Sequence, residues 1–202
     1  MQKPMLYFSV VVGLGLVSAF VWSRTSRAAY ESAEYKVIES DGSYEVRQYP
    51  ELMLVATTTK IDAQGRDGSF MKLFRYISGA NESEQKISMT TPVFMEKDKA
   101  DSEVQMGFVM PKDVAVEGVP SPTGPDVNVR KRPAGRFAVL RFSGRLDAKL
   151  AKESEDKLRA WMETKQLVAD DSAEASGVES ASYDPPFTPG PLRRNEVLIR
   201  LK

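Results

Sequence analysis

The chain has no histidine and no cysteine, which removes the usual general base and the commonest metal and haem ligand. A Ser-His-Asp type of triad is excluded, as are disulfides, thiolate metal sites and histidine ligation of a metal or haem iron. One stretch with helical period stands out among what remains: Phe70-Met71-Lys72-Leu73-Phe74-Arg75-Tyr76-Ile77. At about 100° per residue, Phe70, Leu73, Phe74 and Ile77 form an inner apolar stripe, and Met71 and Arg75, four apart, stack on one flank beside Phe74. Lys72 and Tyr76 take the opposite flank. By residue type alone, Lys72 and Arg75 are solvated helix charges and Met71 fills a gap. The carboxylates offer less. Glu45 and Glu196, with Tyr183, are candidates, but no pair has convincing acid/base spacing and lone carboxylates at strand ends are ordinarily solvated. Met89, Met95, Met106 and Met110 follow strand alternation, which makes core packing their expected role rather than metal ligation.

The elements that must position these residues are legible from period and punctuation. Strands are expected over Tyr35–Glu39, Tyr44–Tyr49 and Met53–Thr59, with Asp41-Gly42 as a turn and Pro50 as a stop. Ser69 can cap the helix and Gly79 can end it. Lys86–Met95 reads as a strand interrupted by Pro92, hence an edge or a bulge, and Val104–Met110 as the next. The prolines and glycines between Pro111 and Asp126 predict a long surface connection without regular structure. Strands over Val127–Arg132 and Arg136–Phe142 follow. A helix then begins at Asp147 with Leu150, Ser154, Leu158 and Trp161 on one face, a strand spans Glu179–Tyr183, and a last strand carries Val197, Ile199 and Leu201.

The order of elements repeats. Val46-Arg47-Gln48-Tyr49-Pro50 lines up with Val129-Arg130-Lys131-Arg132-Pro133, and Thr91-Pro92-Val93-Phe94 with Asp184-Pro185-Pro186-Phe187. The expected fold class is α+β: two pseudo-symmetric β-β-α-β-β repeats, about 35–110 and 127–202, forming an antiparallel sheet or distorted barrel with two helices packed on it. One N-terminal hydrophobic helix precedes them.

At 202 residues, 42% hydrophobic and 28% charged, the chain fits one globular domain and an extra segment. Lys+Arg and Asp+Glu balance at 28 each, so no global field draws nucleic acid or acidic substrates, and no nucleic-acid partner is expected. Residues 1–23 form a hydrophobic membrane anchor or signal segment, since no charge falls between Lys3 and Arg24 and the apolar run approaches the ~20 residues of a bilayer span. The retained single span is the leading expectation. A cleaved export signal at Val17-Ser18-Ala19 is the alternative, and the side of the membrane stays open. Residues 24–34 are a linker and 35–202 the folded domain.

Three motifs together resemble the SOUL haem-binding protein family: Phe70–Gly79, Lys86-Ile87-Ser88-Met89-Thr90-Thr91-Pro92-Val93, and Tyr183-Asp184-Pro185-Pro186-Phe187 leading to Arg193-Arg194-Asn195-Glu196-Val197. The resemblance covers about Tyr30 to Lys202. It implies a fold related to effector-binding domains of the gyrase-inhibitor type, and non-enzymatic binding of haem or another tetrapyrrole in a shallow apolar cleft. On that basis Met71, Phe74 and Arg75, with Lys72 on the other flank, form one wall, a polarizable sulfur and an aromatic meeting the porphyrin face and a cation pairing with a propionate. Phe187 and Arg193, in the loop from Pro185 to Arg194, form the other. Two departures matter. Thr188 stands where many relatives carry a basic residue, and there is no histidine. An axial ligand must therefore be Met, Tyr, Lys or a non-protein group, or else binding is hydrophobic and electrostatic only. The implied role is a membrane-tethered carrier, buffer or sensor, with protein partners unassigned. The alternatives are an effector-binding or hydrolytic module using Glu45 or Glu196 with Tyr183, and a scaffold whose cleft takes a peptide.

Overall fold

A computed structural model describes residues 30–60, 68–98, 103–170 and 175–202. The hydrophobic leader and the linker up to residue 29 lie outside the described residues, as does most of the loop before the first helix. In chain order the elements are β1 (Glu31–Ser32), β2 (Lys36–Asp41), β3 (Tyr44–Tyr49), β4 (Leu52–Lys60), α1 (Ser69–Ile77), β5 (Thr90–Thr91), β6 (Val93–Asp98), β7 (Glu103–Val109), α2 (Lys112–Glu117), β8 (Asn128–Arg132), β9 (Gly135–Phe142), α3 (Ala148–Thr164), β10 (Ala175–Ser182) and β11 (Asn195–Arg200). None of the described helices is long and apolar enough to cross a membrane.

Nine strands form one antiparallel sheet in the order β2-β3-β9-β11-β10-β6-β7-β4-β8, and β1 and β5 form a separate parallel pair. With β2 set aside, the order has a symmetry: exchanging β3, β4, β6 and β7 with β8, β9, β10 and β11 returns the same order read from the other edge. The register agrees. Tyr49 pairs with Gly135, and Arg132 pairs with Leu52; the step that carries Val46 to Val129 also carries Tyr49 to Arg132 and Leu52 to Gly135.

Alternate strand residues point to opposite faces, and here both faces are covered. On one face, Val46, Ala138, Leu140, Val197 and Ile199 pack against Leu158, Trp161 and Met162 of α3. On the same face, Val55 and Phe108 pack against Leu73, Tyr76 and Ile77 of α1, with Val114 of α2 closing the cluster. The opposite face collects Tyr49, Leu54, Phe94, Phe137, Val139, Ala181, Tyr183 and Leu198. That face is sealed because the sheet curls: Arg132, at the end of edge strand β8, hydrogen-bonds Glu179 on β10 and lies over Tyr49 on β3. A flat sheet would hold these strands far apart.

Several expectations need correcting. Lys86–Met95 is not one strand. It divides at Pro92, which cannot donate to a ladder, into β5 in the small pair and β6 in the main sheet, and β6 is central, between β10 and β7. Pro185 is not its counterpart in position, because Pro92 precedes β6 whereas Pro185 follows β10. The connection after β7 holds α2, whose first residue follows Pro111 and whose end is Gly118 at φ 118; proline before a helix start and glycine after its end are permissive punctuation. Ser69 does not cap α1. Gly68, at φ 78, is the N-cap and Ser69 is the first helical residue, buried. In α3, by contrast, Asp147, where the helix is expected to begin, is the N-cap, its side chain accepting from the Leu150 N–H at 2.8 Å.

Candidate functional site

The inner stripe of α1 is rotated from the expected one. Leu73, Tyr76 and Ile77 are buried, and Phe70, Met71 and Phe74 stand out at 38%, 49% and 43% exposure. Tyr76 can be buried because its hydroxyl donates to the Pro120 carbonyl at 2.6 Å, which satisfies the one polar atom that burial would otherwise strand. Burial alone pushes its phenol up to about 12. Fixing Tyr76 inward turns Phe70 and Phe74 outward. Their rings stack, 6.1 Å apart with 13° between planes, and Phe70 also meets Phe108 edge-on at 5.2 Å. The result is an aromatic shelf on the helix surface, with Met71 on it and the exposed Arg75 in the last turn. Lys72, on the other flank, pairs with Asp126 at 3.6 Å.

The loop between β10 and β11 forms a second exposed feature. Phe187 is 72% exposed. Arg193 does not reach away from this loop. Its Nε donates to the Thr188 carbonyl at 2.7 Å and its Nη2 to the Pro186 carbonyl, so two of the donors expected for a propionate shape the loop that carries Phe187. Asp184 accepts from the Arg194 N–H at 2.6 Å. The loop is tied to the β9–α3 connection, where Gly144 donates to the Gly190 carbonyl and accepts from Asn195 Nδ2. Met71, Lys72, Phe74 and Arg75 thus share one helix over the first-half strands β4 and β7, and Phe187 and Arg193 share a loop anchored to the second half.

The inside of the curled sheet holds a third constellation, of which strand patterning pointed to only Glu45, Glu196 and Tyr183. Glu196 is fully buried, and its Oε1 and Oε2 accept from Arg47 Nη2 and Nη1 at 3.0 and 2.7 Å. Arg194 Nη2 donates at 2.7 Å and the Tyr183 hydroxyl at 2.8 Å. Burial would raise this carboxyl, but hydrogen bonds and charge from Arg47 and Arg194 outweigh it and hold Glu196 down at about 2. Tyr183 is pushed well above its ordinary value by burial and by the adjacent Glu196 charge. A carboxylate so deeply ionised and so fully hydrogen-bonded is a poor general base at neutral pH, and a phenol held protonated is a poor nucleophile. Glu45 is spent on Arg47 at 2.6 Å and Arg141 at 3.1 Å.

A separate groove of about 330 Å³ lies between Glu31–Glu34, the β3–β4 turn and α2, lined by Leu52, Met110, Ala115 and Val116. It includes none of the expected site residues. Among the described residues, no cluster of three or more His, Cys, Asp or Glu could hold a metal ion. A porphyrin needs flat apolar area and cations for its propionates, with an axial ligand optional. The α1 shelf supplies the first through Phe70, Met71 and Phe74 and the second through Arg75, and its soft donor is Met71.

A curled antiparallel sheet with helices packed on one face is a fold this chain shares with several solved structures. The chain is similar to the C-terminal domain of EcmrR, at 12% identity and a TM-score of 0.57 over 83% of this chain and 98% of that one. It is also similar to a hydrolase from Listeria innocua, at 11% identity and a TM-score of 0.58 over 82% and 94%, and to an uncharacterized conserved protein from Listeria innocua, at 14% and 0.55 over 79% and 91%. At such identities the likeness is one of fold. No curated protein matches the sequence. Within this fold type, the chain belongs to the SOUL heme-binding protein family, whose model matches residues 30–200.

Proposed function

We propose that the α1 shelf binds haem or a related tetrapyrrole without catalysing a reaction. The observation that carries this reading is the outward-facing Phe70–Phe74 stack with Met71 beside it, on a helix whose other face is fully engaged in the core. Stacked exposed aromatics are kept where something flat and apolar covers them. Phe70, Met71 and Phe74 hold the ring plane, Arg75 pairs with a propionate, and Phe187 adds apolar area where the ligand extends beyond the helix. Haem, when bound, supplies the iron. This chain's residues orient the ring and shield one side from water, as a carrier, buffer or sensor would require. The family match and the absence of histidine together favour affinity that does not depend on an iron ligand.

Titrating the full-length chain in detergent with hemin and, in parallel, with metal-free protoporphyrin tests the reading. A Soret shift with hemin, matching affinity for the metal-free ring, and a loss of about tenfold or more in Arg75→Glu combined with Met71→Asp are expected; tenfold corresponds to ~1.4 kcal/mol. Absence of any spectral change with either ligand would remove it. The hydrolytic alternative has the fold likeness to a hydrolase in its favour, but Glu196 and Tyr183 are committed to Arg47 and Arg194. A Glu-dependent turnover of an activated ester by the purified chain is the result that would restore it.

Two structural readings belong with this proposal. The palindromic strand order and common register support two β-β-α-β-β repeats, about 35–110 and 127–202. The uncharged run of the leader supports a single-span anchor at 1–23; the linker expected over 24–34 is shorter than that, because Glu31 and Ser32 pair with Thr90 and Thr91 and Ala33 is buried in the core. Alkaline extraction of membranes, with the N-terminal sequence of the mature chain, separates the anchor from a cleaved signal.

A further inference from the structure

The segment that leads into β2 crosses one end of the curled sheet. Along it Glu31, Ser32 and Glu34 are exposed, Ala33 is buried and Tyr35 is half-buried. Ala33 belongs to the cluster of Tyr49, Phe94 and Leu198 inside the sheet, and Tyr35 packs against that cluster. The Tyr35 ring lies 5.2 Å from the Tyr49 ring, its centre is 4.1 Å from the Arg47 guanidinium carbon, and its hydroxyl accepts from Arg194 Nη2 at 3.3 Å. Arg47 and Arg194 are the cations that hold Glu196. Tyr35 therefore covers the ionic network, joined to it by a ring face and one long hydrogen bond.

The cover is held far more lightly than what it covers. β1 pairs with β5 over two residues only, Glu31 with Thr90 and Ser32 with Thr91, and the Ala33 N–H donates to the Thr91 carbonyl at 2.8 Å. The other ties run to the start of α2, where Glu31 accepts from the Lys112 N–H at 2.9 Å and Glu34 from Lys112 Nζ at 3.2 Å. The second of these joins two exposed side chains, and such pairs contribute little. Beneath the cover, Arg47 and Glu196 are fully buried and bonded to each other twice. A segment with one buried side chain and exposed backbone bonds opens at a lower free energy than the sheet it lies on.

We propose that Glu31–Tyr35 is a lid, which swings off the end of the curled sheet while the nine strands stay paired and so sets access to the end of the interior where Arg47 and Glu196 lie. The hinge falls between Tyr35 and Lys36, because Lys36 is already paired with Gln48 in the main sheet. Closed, the lid places Ala33 in the apolar cluster and the Tyr35 ring over Arg47. Open, it gives up only the β1–β5 pair, the ties to Lys112 and those two side-chain contacts. The device shares no residue with the α1 shelf and does not depend on ring binding there.

The chain has no cysteine, so a single introduced thiol reports opening in the full-length chain in detergent. Three variants are labelled with a maleimide under native conditions: Ser40→Cys on the exposed edge strand β2, Ala33→Cys under the lid, and Ala181→Cys inside the sheet. Labelling at position 33 is expected to be at least ~10-fold slower than at 40, at least ~10-fold faster than at 181, and insensitive to urea below the unfolding transition, whereas the rate at 181 climbs with urea. Adding Tyr35→Ala should raise the rate at 33 by more than the rate at 181. A rate at 33 that follows 181 in size and urea dependence, a rate equal to that at 40, or an equal rise at 33 and 181 with Tyr35→Ala overturns the proposal. Should Ala181→Cys not fold, amide exchange in the unaltered chain replaces it. The Ala33 N–H is then expected to exchange at least ~10-fold faster than the amides of β11, and equal protection overturns the lid.

Discussion

The outer face of α1 and the inside of the sheet invert the usual placement of residue types. The helix presents Phe70, Met71 and Phe74 to water, and the sheet hides Arg47, Arg132, Glu179 and Glu196 from it. The difference lies in what each set of side chains can find nearby. Buried charges persist here because each arginine meets a carboxylate in fork geometry, and removing one partner would strand the other. Phe70 and Phe74 meet each other, and Phe70 meets Phe108, yet 38% and 43% of their surfaces stay exposed. Stability therefore resides in the ionic interior and apolar core, and the proposed ligand site lies on the helix surface. The two should respond to different substitutions.

The sharpest way to break that division is Glu196→Ala. It leaves the buried Arg47 and the half-buried Arg194 without their shared carboxylate, and a loss of about 3–5 kcal/mol in urea unfolding is expected, with hemin affinity of the folded fraction unchanged. A fall in affinity matching the fall in stability would merge the two regions. The same carboxylate sets an acid limb. Its folded value of about 2 lies below the 4.5 of an ordinary glutamate, so its contribution is fully present above about pH 4.5 and is lost as pH falls toward 2. Stability against pH, measured for the natural chain and for Glu196→Gln, should show a flatter acid limb in the variant.

On α1 the comparison can be made within one helix. Leu73→Ala, at a fully buried position, should cost about 2–5 kcal/mol. Phe74→Ala, one residue on, should cost under ~1 kcal/mol yet weaken hemin binding by about tenfold, as ring-face contact is lost. Thermal melts and Soret titrations of the two variants decide it. The smallest effect belongs to Lys72→Ala. Its pair with Asp126 is exposed and 3.6 Å long, and a change within ~0.5 kcal/mol is expected from a double-mutant cycle with Asp126→Ala.

How much of this was legible in the sequence depended on whether the deciding contact was local. β3 ends at Tyr49 and α3 begins after Asp147 because Pro50 and the aspartate act on their own neighbours. α1 was legible as a helix but not in its rotation, which is decided by a carbonyl 44 residues from Tyr76. α2 was hidden by its own punctuation, since Pro111 and Gly118 read as loop residues until six helical residues are seen between them. The interior network failed for a third reason. Arg47 and Arg132 occupy positions that alternation assigns to the face away from the helices, and on a flat sheet that face would be wet. Curling makes it dry, and the partners lie 149 and 47 residues away. The family resemblance located α1 and the 185–194 loop, and it carried no information about which donors Arg193 would already have spent.

The interleaving of strands also bears on how the chain is made. β3 gains its second neighbour, β9, only once residue Phe142 has been synthesised, and β4 waits for β8. Until then the nascent chain holds β2–β3 as one hairpin and β4, β6 and β7 as another group, each with an open edge. The first half therefore leaves the ribosome as a set of unclosed ladders, and truncation after β7 would yield an aggregation-prone fragment rather than a small stable domain.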